Sequence, residues 1–170
     1  MVSAWRLGNS RLFLPKLGWL RYRNSRNVLG ELRNVTVSQS GNILMAYGGT
    51  RTEPMPITGL RFRNNLVRHN QYGVHGSDRA PGADTLRSYF PGAVFQSNGI
   101  GGGDASRYPA GNVFLSEAEF ESQFANAAAG DFRLRSNSRF RGAASDKQDL
   151  GADIGALAVA VGLRPGARIQ

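Results

Sequence analysis

"NVTVSQSGNILMAYGGTRTEPMPITGLRFRNNLVRHNQYGVHG", residues 34–76, is the stretch whose reading decides the fold. Set against itself at an offset of 25, it matches: Val35 falls on Leu60, Val37 on Phe62, Tyr47 on Tyr72 and Gly48 on Gly73. Apolar positions alternate within each copy, the period of a strand whose successive side chains face opposite ways. Self-similarity at a fixed period marks a repeat architecture. A period of 25 with strand alternation inside it predicts one turn of a β-solenoid. A looser third copy follows at an offset of 33, where Ala93, Phe95, Asn98 and Ile100 repeat Leu60, Phe62, Asn65 and Val67. The added residues fall near "SDRAPGADTLRSYFPG", residues 77–92, which predicts a loop in which function can reside. Asn64, Asn65, Asn70 and Asn98 sit just after strands, where asparagine tolerates a left-handed backbone and bonds its neighbours.

Outward from this stretch, composition sets bounds. The chain has 170 residues, 41% of them hydrophobic, enough for a packed core in one domain. With no cysteine, disulfides and thiolate metal sites are excluded. The net charge is +9, and Lys16 and Lys147 are the only lysines, so the basic set is nearly all arginine. Residues 1–42 carry +6 and the remainder +3. An arginine-rich opening suits phosphate contacts. Trp19 and Tyr22 interleave there with Arg21, Arg23 and Arg26, a pattern that can stack bases and neutralise phosphates. No apolar run approaches the ~18 residues of a membrane span, and no secretory signal is read, because Arg6, Arg11 and Lys16 interrupt any apolar region.

Downstream, "GGGDASRYPAGN" is glycine-rich but has no lysine at phosphate-loop spacing, so it reads as turn structure. Ser116 and Glu119 form a capping-box pattern, and Phe120 and Phe124 share a helical face, predicting a side helix near 117–129 that Gly130 ends. Ile154, Leu157, Ala158 and Val161 make an apolar stripe that Asp153 can cap, predicting a capping helix near 153–161.

Two resemblances run through the chain. "LPKLGWLRYRNSRNVLGELRNVTVSQSG", residues 14–41, resembles a segment of the OrfB-type transposases of insertion sequences, the RNA-guided nuclease family. Lys16–Leu17–Gly18–Trp19 and Arg21–Tyr22–Arg23 carry it. Asn27 stands where that family usually has an acidic residue, and the chain has neither its carboxylate cluster nor its zinc-ribbon cysteines, so nuclease activity is not implied. "SQSGNILMAYGG", "NNLVRHNQYGVHGSD", "YFPGAVFQSN", "GGGDASRYPAGN" and "DLGAD" are similar to the carboxy-terminal part of bacterial right-handed parallel β-helix proteins of the pectate-lyase-like superfamily, over about 36–163. That resemblance implies polysaccharide as ligand and an exported parent protein. It alone brings in calcium; no cofactor is otherwise expected.

The expectation is therefore a mainly β chain: a short right-handed parallel β-helix of about three coils over 34–163, behind a basic extension at 1–33 and before a tail at 164–170. The function expected is that of a truncated β-helix protein, non-catalytic alone, binding polysaccharide on a sheet face or at the 77–92 loop. Its candidate ligand residues are His75, Asp78, Arg79, Arg87, Tyr89, Asp104, Arg107 and Tyr108. Two histidines are too few for an ordinary zinc site, so no metal is expected. Catalytic residues are not assigned, and a lyase-like fragment is a lesser alternative. The alternative of a different class is a nucleic-acid-binding remnant of a transposase, contacting RNA or DNA through Trp19, Arg21, Tyr22, Arg23 and Arg26. Self-association through an open solenoid edge is a third partner expectation. Localisation is not assigned.

Overall fold

The computed structural model describes residues 13–14, 31–37, 41–48, 54–160 and 162. Its first structural unit is a corner. Strand β2 (Glu31–Arg33) turns into β3 (Thr36–Val37), β5 (Arg61–Arg63) into β6 (Leu66–Arg68), and β8 (Val94–Gln96) into β9 (Gly99–Gly101). The residue that opens each corner has a left-handed backbone: Asn34 (φ 54°), Asn64 (φ 58°) and Ser97 (φ 55°). Asparagine reaches that conformation at lower cost than most L-residues, which explains two of the three.

Successive passes of the chain lie side by side. The strands β2, β5 and β8 form one parallel sheet, with Leu32 opposite Phe62 and Phe62 opposite Phe95. A second sheet runs in the order β1 (Phe13–Leu14), β3, β6, β9 and β10 (Val113–Leu115), all parallel. A third pairs β4 (Leu44–Ala46) with β7 (Val74–Gly76). Alternation sends Phe62, Phe95, Leu44, Ala46 and Val74 into one core. There the Phe62 and Phe95 rings stack at 5.1 Å between centroids.

Helix α1 (Ala83–Tyr89) leans on β7 and adds Leu86 and Tyr89 to this core. A second core gathers Leu66, Leu115, Phe120, Phe124, Phe132 and Phe140 around helix α2 (Glu117–Ser122) and the antiparallel pair of β11 (Phe124–Asn126) with β12 (Asp131–Leu134). Helix α3 (Ile154–Ala160) closes onto it through Ile154, with Asp153 Oδ1 accepting from Ala156 N at 2.9 Å. On β9 the absence of a side chain is required, because a Cβ on Gly101 would stand 2.6 Å from the Phe120 ring.

Buried polar groups at the corners are satisfied by a file of asparagines. Asn65 Nδ2 donates to Leu32 O (3.0 Å), Asn98 Nδ2 to Phe62 O (3.0 Å) and Asn112 Nδ2 to Phe95 O (3.0 Å). Each carboxamide oxygen accepts from the preceding pass: Val35 N to Asn65 Oδ1 (3.1 Å), Asn65 N to Asn98 Oδ1 (3.0 Å) and Asn98 N to Asn112 Oδ1 (3.2 Å). Buried amides must be paired, and a stacked file pairs them with each other and with the turn backbone.

The expected mainly β, right-handed parallel β-helix of period near 25 is corrected. The described residues form four small sheets of short strands, three parallel and one antiparallel, with three short α-helices and two 3-10 turns. The arrangement is small and mixed α/β. The period also fails: β2 to β5 and β4 to β7 are 30 residues apart, so Val35 lies level with Asn65 rather than Leu60. The offset of 33 is the register of β5 with β8 and of β6 with β9. The predicted helix near 117–129 ends at Ser122. Gln123 O instead accepts from Arg135 N (2.9 Å), and Phe124 turns into the core against Phe132. Tertiary pairing there overrides helix propensity. The loop at 77–92 contains α1, placed by Leu86, Tyr89 and Phe90 at helical spacing.

Candidate nucleic-acid interface

The outward side of the β2–β5–β8 sheet is built by the same alternation that turns half-buried Leu32 and buried Phe62 and Phe95 inward. It carries Glu31 and Arg33 on β2, Arg61 and Arg63 on β5, and Val94 and Gln96 on β8. The register sets Glu31 opposite Arg61 and Arg33 opposite Arg63. Like charges directly opposite each other repel, and Glu31 relieves part of this by accepting from Arg63 Nε at 2.5 Å. Arg61 is exposed and makes no ion pair among the described residues. Among the described residues this face carries three guanidiniums and one carboxylate. Guanidinium forks suit phosphate oxygens.

In sequence, this face follows the arginine-rich opening. Trp19, Arg21, Tyr22, Arg23 and Arg26 lie outside the described residues.

The residues proposed for a sugar ligand are placed as follows. Tyr89 and Tyr108 are buried. The Tyr89 hydroxyl donates toward Gly48 O (3.3 Å) and Ser77 O (3.2 Å). The Tyr108 hydroxyl meets His69 Nε2 (2.8 Å) and accepts from Val74 N (3.1 Å), and burial pushes this phenol above its ordinary range. Asp104 and Arg107 are exposed and pair with each other at 3.6 Å, Asp104 capping the short helical turn that Arg107 closes. Hydrogen bonds from the Ser106 hydroxyl and N–H hold the Asp104 carboxyl below its usual range, with a smaller contribution from Arg107. Arg87 is exposed, 3.4 Å from Asp84. The backbone of Gly82 lies against that of Arg107, which brings the 104–107 turn beside the start of α1. Asp78 takes a left-handed turn (φ 56°) after β7, followed by half-exposed Arg79. His75 lies on β7 with its ring 5.1 Å from that of Tyr72. No group of three or more metal-ligating side chains occurs among the described residues, and none of their helices is long and apolar enough to cross a membrane.

The arginine face was missed by sequence reading, although its signal was there. Arg33–Asn34 with Val37 recurs as Arg63–Asn64 with Val67 at an offset of 30. The offset of 25 hid it.

Comparison with known proteins finds a short segment. Over 32 residues, 19% of this chain, it is 78% identical to the Escherichia coli (strain K12) protein named "Putative RNA-guided DNA endonuclease InsQ". The match spans 8% of that protein's length. The resemblance to OrfB-type transposases thus holds at the level of a short segment. No family profile matches the chain. No solved structure matches it either. Nothing in these comparisons supports the pectate-lyase-like resemblance, polysaccharide binding or lyase chemistry.

Proposed function

We propose that this chain binds nucleic acid through its arginine-rich amino-terminal segment, as a remnant of a transposase coding segment carried on a differently folded body. The observation that carries this reading is the 78% identity over 32 residues to a protein whose name describes an RNA-guided DNA endonuclease. In support, Arg21, Arg23 and Arg26 alternate with Trp19 and Tyr22, and the same run leads into the strand whose outward face presents Arg33 beside Arg61 and Arg63. Guanidiniums neutralise phosphates while the aromatic rings stack on bases, a combination that tolerates sequence and depends on salt. Nuclease chemistry is not part of the proposal.

The test is binding of the full chain to a fluorescent single-stranded oligonucleotide across a salt series. The expected result is an affinity that falls steeply with salt, and falls less steeply in the Arg21→Ala/Arg23→Ala/Arg26→Ala variant. Binding indifferent to these three arginines would overturn the reading.

A further inference from the structure

The β4–β7 sheet carries a second surface. Its outward positions pair Met45 with His75 across the ladder. The Tyr72 ring lies 5.1 Å from the His75 ring, tilted by 30°. At the other end, the Tyr47 hydroxyl reaches Met45 Sδ at 3.8 Å. Tyr72, His75, Met45 and Tyr47 thus form an unbroken strip, and Met55, whose N–H donates to Gly48 O at 3.3 Å, extends it past Tyr47. Tyr47 is 61% exposed, Met55 49% and Tyr72 41%. Three of the five most exposed large apolar side chains among the described residues are therefore gathered in one place. The remaining two, Val113 and Val159, lie on other elements.

The strip presents flat and polarizable side chains to solvent. Its side chains are aromatic or thioether, both polarizable and tolerant of what stacks on them. The Tyr72 hydroxyl is held by Gln71 Nε2 at 2.9 Å, which orients the ring. The His75 Nδ1 is buried and has no hydrogen-bond partner among the described residues. A chain of charge +9 selects among flat-ringed partners: it draws in those strung on a polyanion. Arg79 stands just beyond this strip, because Ser77 N bonds Ala46 O (3.1 Å) and Arg79 N bonds Gly76 O (3.2 Å).

We propose that Tyr72 and Tyr47 form a stacking platform for unpaired bases of a single-stranded nucleic acid. This rests on the nucleic-acid reading above but uses a different part of the chain. Ribose and deoxyribose strands are both accommodated, since a stacking surface reads the face of the base and not the sugar.

The test uses the full chain with fluorescent 15-nucleotide oligouridylate and oligothymidylate, and with an abasic oligomer of the same length. Tyr72→Ala and Tyr47→Ala are each expected to weaken binding to both base-containing strands by about tenfold. Tyr72→Phe and Tyr47→Phe, which keep the rings, should bind as the parent does. Binding to the abasic strand should be the same in all five proteins. If the alanine variants bind every strand like the parent while the arginine triple variant loses binding, the platform is refuted and the amino-terminal reading stands. If the tyrosine variants lose binding and the arginine variant does not, the platform stands and that reading fails. A neutral glucan oligomer that protects the tyrosines from solvent quenchers, where oligothymidylate does not, would overturn the platform in favour of a sugar surface.

Discussion

Replacing Asn98 with alanine should remove the centre of the asparagine file. The residue is fully buried. Its Nδ2 donates to Phe62 O at 3.0 Å and to Asn112 Oδ1 at 2.9 Å, and its Oδ1 accepts from Asn65 N at 3.0 Å and Asn65 Nδ2 at 3.1 Å. Alanine deletes all four bonds. The Asn65 N–H and the Phe62 carbonyl are left buried with no side-chain replacement, and unsatisfied buried groups cost about 1–3 kcal/mol each. The two side-chain-to-side-chain bonds add roughly 1 kcal/mol apiece, partly recovered because Asn65 and Asn112 keep other partners. The expected loss is about 4 kcal/mol. Domains of this kind hold only about 5–15 kcal/mol in total. The measurement is urea unfolding followed by far-ultraviolet circular dichroism, comparing midpoints at constant slope. A loss under about 1 kcal/mol would mean that the file does not carry the corners, and the account of the fold would fail with it.

Three further outcomes follow from the same contacts. Gly101→Ala should destabilise the chain by about 1–3 kcal/mol, since the new methyl would stand 2.6 Å from Phe120; thermal unfolding reads this, and an unchanged midpoint would contradict the packing. Tyr108→Phe should destabilise by about 1–3 kcal/mol through the lost partners of Val74 N and His69. It should also flatten the alkaline end of the stability profile. Burial raises the Tyr108 phenol above 10.0, so the folded chain holds its proton longer than the unfolded chain, and stability present below pH 10 declines as pH rises toward the folded value. Arg61→Ala should leave stability within about 0.5 kcal/mol and lower the magnitude of the salt slope for single-stranded oligonucleotide binding by about 0.7.

What the sequence made legible depended on how local the signal was. The α2 capping box is entirely local, and the structure shows it as written, with Ser116 Oγ accepting from Glu119 N (3.2 Å) and Glu119 Oε2 accepting from Ser116 N (3.0 Å). The α3 stripe is nearly as local, with Asp153 capping and Ile154 and Ala158 buried. Register is a long-range property, and it misled. The 25-residue match of Tyr47 with Tyr72 compares two surface aromatics, and exposed residues carry little register information. The 30-residue match of Asn34 with Asn64 compares two residues that must both adopt positive φ. The end of α2 was unreadable for the same reason, because Gln123, Phe124 and Arg135 decide it from across a hairpin. The arginine face becomes visible only once the 30-residue register sets Arg33 beside Arg63. The Tyr72–His75 strip needs the fold as well, since Met45 and His75 are 30 residues apart.

The central claim is nucleic-acid binding through the amino-terminal arginines. Its most direct measurement is the salt slope of single-stranded oligonucleotide affinity for the parent chain and for Arg21→Ala/Arg23→Ala/Arg26→Ala. The account predicts that the variant's slope is shallower by about 2, close to 0.7 for each lost phosphate contact, with its unfolding midpoint unchanged. Equal slopes for the two proteins would contradict it.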